Sequence, residues 1–144
     1  MAEQLPAGSE RDAVMHSLAL EWADQDPVAA ANWAMAEMPE GLELDATLRT
    51  IVWDWAQKNS AEALAWVDQL TDPALQLEER ATVAMALART NPNSAVIVTA
   101  SLPAGETKSN VIVNVAFQWA LIDSKAATAW AQSLSVDDGR DQAL

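Results

Sequence analysis

The sequence predicts an all-α chain, a right-handed α-α superhelix or solenoid of about four helical hairpins of 32–33 residues. Three observations predict it. Trp22-Ala23, Trp55-Ala56, Leu87-Ala88 and Trp119-Ala120 stand 33, 32 and 32 residues apart, and Asp26, Asn59, Asn91 or Asp123 follows each four residues on. A second column, Trp33, Trp66, Val98 and Trp130, falls seven residues past that Asp or Asn. The composition leaves little for strands or hairpin turns: 51% of residues are apolar, with one Phe, no Tyr and four Gly. A unit this short cannot bury its own apolar face and relies on its neighbours.

The units run at about 9–41, 42–72, 73–105 and 106–139, within one helical-repeat domain spanning 1–144, and 140–144 begins a fifth. In each, helix A starts after Leu5-Pro-Ala-Gly8, Met38-Pro-Glu-Gly41, Asp72-Pro73 or Leu102-Pro-Ala-Gly105 and ends beyond its Trp-Ala pair. Gly just past a helix end supplies a left-handed closing residue, and Ser9 with Asp12 forms an N-cap for the first helix A. Helix B opens with an N-cap acceptor before Pro at Asp26-Pro27 and Asn91-Pro92; Asn59-Ser60 and Asp123-Ser124 keep the cap and lose the proline. It runs about 12 residues to Met38, Leu70, Leu102 or Leu134, and these ends are 32 apart throughout, so the single 33 is a one-residue expansion near Glu37.

Counting back from the first column gives the buried stripe of helix A: Met15, Leu18, Ala19, Trp22 and Ala23 in the first copy. The second reads Leu48, Ile51, Val52, Trp55, Ala56 and the fourth Ile112, Val115, Ala116, Trp119, Ala120. In the third copy Arg80 brings a charge to one edge. Ala30, Ala63, Ala95 and Ala127 let helix B approach closely, and the indoles fill the remaining space, which gives six of the seven tryptophans a packing role.

Paired helices with small and large apolar slots at this period resemble tetratricopeptide and Sel1-like repeats, without the glycine and tyrosine that those families carry in helix A. The chain is more similar to bacterial arrays whose unit reads Trp-Ala-x-x-Asp-Pro-x-Ala-Ala-x-x-Trp and then Leu-Pro-x-Gly. Residues 22–33 match that unit directly, residues 119–130 match it with Ser124 for Pro, and the third copy departs most, with Leu87 and Val98 in the tryptophan slots. The resemblance implies an architecture and no activity.

A net charge of −13 opposes binding to nucleic acid, whose affinity comes from Lys and Arg displacing counterions. No window approaches a bilayer-spanning apolar run, and Met1-Ala-Glu-Gln-Leu-Pro lacks the basic start and apolar stretch of a signal peptide. The expectation is a soluble chain without membrane insertion, cytoplasmic as written, its compartment left open because a parent protein could be exported. Arg140-Asp-Gln-Ala-Leu144 lies 129 residues after Arg11-Asp-Ala-Val-Met15. A piece of a longer array is therefore expected; the alternative is a complete short protein whose ends pair with another copy.

Catalytic, cofactor and metal sites are not expected. There is no Cys, and His16 is the sole histidine, read as a polar surface or interface residue. Ser and Thr form no nucleophile elbow. Glu37, Glu40, Glu43 and Asp45 straddle a loop, and Asp137-Asp138-Gly139 forms a weak turn, but neither has the spacing of a Ca²⁺ loop.

What remains is recognition of a protein or peptide partner. Two residues before the first column, helix A carries Leu20, Trp53, Met85 and Phe117, and four residues earlier on the same side lie His16, Arg49, Ala81 and Val113. Either this side packs against the next repeat, or it lines a groove that holds an apolar segment, with Trp53 the leading anchor. A binding scaffold should expose a contiguous patch there of several hundred Å². A structural spacer that self-associates through its ends should expose apolar area only at those ends, and an enzyme would need a pocket with convergent polar groups.

Overall fold

The computed structural model describes residues 9–134. Among them are seven α-helices and no strand: α1 (Ser9–Ala23), α2 (Pro27–Glu37), α3 (Leu42–Asp68), α4 (Pro73–Thr90), α5 (Pro92–Ala100), α6 (Glu106–Ile122) and α7 (Ser124–Ser133). None is long and apolar enough to cross a membrane. The chain divides into two compact units, Met1–Trp55 and Ala56–Leu144. In the first, α1 packs on α2; in the second, α4 packs on α5 and α6, and α6 packs on α5 and α7.

Each helix A turns into its helix B at a single residue. Asp26, Asn59, Asn91 and Asp123 adopt φ/ψ of −146/86, −155/86, −149/82 and −150/92°, outside the helical region. Their side-chain oxygens accept hydrogen bonds from the backbone N–H three residues on, of Ala29, Glu62, Ser94 and Ala126, at 3.1, 3.1, 3.2 and 3.1 Å. Each satisfies a donor that the new helix leaves unpaired. The N–H groups of Asp26, Asn91 and Asp123 meanwhile donate back to the carbonyls of Trp22, Leu87 and Trp119. One helix thus ends on the residue that starts the next. At Asn59 the joint is so tight that α3 runs through it as one span with a non-helical residue inside.

These joints fix the phase of the two aromatic columns. Trp22 meets Trp33 edge-on at 6.1 Å between ring centroids, and Trp119 meets Trp130 at 5.9 Å. Such pairs add about 0.5–1.5 kcal/mol beyond their buried area. The four helix-B alanines, Ala30, Ala63, Ala95 and Ala127, are all buried. Helix B is shorter than the 12 residues expected, with 11, 9 and 10 residues in α2, α5 and α7.

The glycines act at the opposite end of the turn from the one anticipated. Gly41 and Gly105 lie at φ +150 and +154°, immediately before α3 and α6, so they open the next helix A instead of closing helix B. Met38 and Leu134, which close α2 and α7, are extended residues with ordinary negative φ. Asp72 plays the opening role in the third copy, accepting from the N–H groups of Ala74 and Leu75 ahead of Pro73. Gly8, the Asp137-Asp138-Gly139 turn and the start of a fifth unit at 140–144 lie outside the described residues.

Burial of the helix-A stripe is uneven. Leu48, Ile51, Val52, Trp55 and Ala56 are buried, as are Val83, Ala84, Leu87 and Ala88. In the first copy Met15 and Ala19 are buried, but Leu18 and Trp22 are exposed, contrary to the stripe as a whole. In the fourth, Ile112, Val115 and Ala116 are buried, Trp119 is half-buried and Ala120 is exposed. Arg80 is accommodated at its stripe edge by an ion pair with Asp68 at the end of α3. Beside it, Gln76 Nε2 lies 3.3 Å from the carbonyls of both Val67 and Asp68, so α4 supplies donors to a helix end that has none of its own.

Candidate functional site

The helix-A column is distributed over both units. His16 and Leu20 sit one turn apart on α1, and Arg49 and Trp53 one turn apart on α3, all in the first unit. Leu20, Trp53 and His16 are half-buried, and Arg49 is exposed. Met85 on α4 and Phe117 on α6 belong to the second unit, where those two helices pack together. Met85 is half-buried and Phe117 exposed; of their companions one turn earlier, Ala81 is buried and Val113 half-buried.

His16 has a defined structural task. The Thr47 hydroxyl lies 2.7 Å from the Glu43 carbonyl and 2.6 Å from His16 Nδ1, so it bridges the imidazole to the backbone of α3. Glu43 Oε1 lies 3.7 Å from the same nitrogen. The imidazole therefore tethers α1 to the first turns of α3.

One buried column escaped the sequence pattern. Eight residues before the first tryptophan column stand Val14, Thr47, Glu79 and Val111. The last three are buried, Glu79 to 1% exposure. Thr and Glu mask the column from an apolar-periodicity reading; the 32-residue register, which aligns them with Val14 and Val111, is the signal that finds it. Thr47, Thr82 and Thr99 are tolerated in the core because each hydroxyl donates to the carbonyl four residues back.

Within the second unit, Val96, Thr99, Ala100, Ile112, Trp130 and Leu134, with Lys108, line a cleft of about 80 Å³ between α5, α6 and α7. A cofactor or drug-sized ligand needs roughly 300–1,000 Å³. The cleft is a crease between packed helices. Glu37, Glu40, Glu43 and Asp45 lie at the end of α2, in the following loop and in the first turn of α3. Among the described residues no group of three or more His, Asp or Glu converges to hold a metal ion.

Comparison with protein-family models, with curated proteins and with solved structures finds no match.

Proposed function

We propose that this chain is a non-enzymatic helical-repeat scaffold, its hairpins stacked as the right-handed superhelix that the 32-residue period predicts, and that it recognises a protein or peptide through the helix-A column. One observation carries the reading. In the two middle copies, where the stripe around Trp55 and Leu87 is buried, Trp53 and Met85 remain partly accessible. Large side chains held half-open on rigid helices are suited to anchor an apolar segment at little entropic cost. The test is selection of a displayed random-peptide library on the whole chain, followed by affinity measurement on Trp53→Ala. Binders should weaken by about tenfold or more, the equivalent of about 1.4 kcal/mol. Binders indifferent to Trp53, Leu20 and Met85 would place recognition elsewhere.

A second reading, a spacer that assembles through its ends, is favoured by a different observation. Of the ten exposed large apolar residues among those described, Val14, Leu18 and Trp22 belong to α1 and Phe117, Leu121 and Ile122 to α6, while Val28, Met35, Leu42 and Ile97 lie on α2, α3 and α5. Helices α1 and α6 are the first and last of the helix-A positions.

A further inference from the structure

We infer that the exposed stripe of α1 and the exposed far side of α6 are two halves of one inter-hairpin contact, so that α1 of one copy accepts the α6–α7 hairpin of a second copy, head to tail. The inference rests on the helical-repeat reading and names a partner for its ends. Its starting point is the register. On α1, Met15 and Ala19 are buried, but Val14 is 38% and Leu18 46% exposed. The same slots on α6 are Val111 and Val115, 2% and 0% exposed. Besides its own partner α7, α6 has α4 and α5 of the preceding hairpin against it. A preceding hairpin is thus what covers this stripe, and Val14, Leu18 and Trp22 present it open.

The complementary half follows from comparing α4 with α6. Helix α4, which has α6 packed on it, buries Ala81 and Ala88 and half-buries Met85. Their counterparts on α6 are half-buried Val113, exposed Ala120 and Phe117, the last 63% exposed, with Leu121 exposed one turn further on. The face that a following helix A would cover is open and apolar, so at α6 the helix-A column serves the second copy, and peptide anchoring falls to Leu20, Trp53 and Met85. Because the two faces differ, the contact is heterologous, closing reciprocally at two copies or running on to longer assemblies. With −13 charges on each copy, association strengthens as salt screens their repulsion.

Sedimentation of the full chain across a wide concentration range, at low and at high salt, tests this. The average mass should climb above that of the monomer, more steeply at high salt. Leu18→Glu and Phe117→Glu should each weaken association by about tenfold or more, since each would desolvate a carboxylate without a partner. Mixed together, the two variants should form a dimer that grows no further, because each keeps the face that the other lost. Circular dichroism confirms that both remain folded; Val14→Lys and Leu121→Lys replace either one that does not. A chain that is monomeric at every concentration and salt overturns the proposal, as does a mixture that stays monomeric while the wild type dimerises. Peptide binding measured on Leu18→Glu through Trp53 keeps the scaffold reading separately testable.

Discussion

At Trp55 and Trp22 the same indole in the same register slot has opposite surroundings, 3% exposed in one and 42% in the other. Trp55→Ala should therefore lower the unfolding free energy by about 3–5 kcal/mol, through lost burial and the cavity left behind. Trp22→Ala should cost below about 2 kcal/mol, because much of that ring is already hydrated. Equal costs in urea titrations would show that the columns do not report burial. Overpacking tests the neighbouring slot. Ala63 has no exposed surface, and Ala63→Leu should cost about 1–3 kcal/mol; an unchanged denaturant midpoint would refute close helix contact there. The helix-B alanines could be read from the sequence because a small residue recurred at a fixed place. Glu79 could not: nothing in a single sequence distinguishes a buried carboxylate from the 20 other acidic residues, since burial depends on neighbours brought in by the fold.

Helix joints were the most legible elements, because an Asx cap before a helix is a local hydrogen bond that needs no tertiary partner. Glycine placement was read less well, since Pro-x-Gly marks a turn without saying which helix owns the positive φ. Both points lead to tests. Asp26 and Asn91 precede Pro27 and Pro92, and their backbone angles differ by no more than 10° from those of Asn59 and Asp123, which precede serine. The conformation before Ser60 and Ser124 is therefore already one that a following proline accepts. Ser60→Pro and Ser124→Pro should each stabilise by about 0.4–1 kcal/mol through the unfolded chain, visible as a raised melting temperature. A loss of stability would show that the two serine joints differ from the proline joints. Gly105→Ala should do the reverse. A Cβ there meets nothing within 4 Å, so sterics with the surroundings are absent and the cost, about 1–3 kcal/mol, comes from φ +154° alone.

For the whole molecule, the period announced the helical hairpins but not how evenly they would be buried, because a repeat motif describes an average unit and burial depends on the neighbours that each helix meets in the fold. The consequence is a gradient in local stability. Helix α4 buries side chains around its circumference, including Ala81, Val83, Ala84, Ala86, Leu87 and Ala88, whereas in α1 only Met15 and Ala19 are buried among the described residues. In an array where each hairpin draws stability from its neighbours, opening starts where neighbours are fewest. Native-state hydrogen exchange should show amide protection highest in α4, approaching the global unfolding free energy, and lower in α1. At concentrations where copies associate, the proposed head-to-tail contact would raise protection in α1 and the second half of α6 and leave α4 unchanged, because only the two end faces gain a neighbour. Equal protection in α1 and α4 at high dilution would show instead that the chain opens as one cooperative body, with its terminal hairpins held as firmly as its centre.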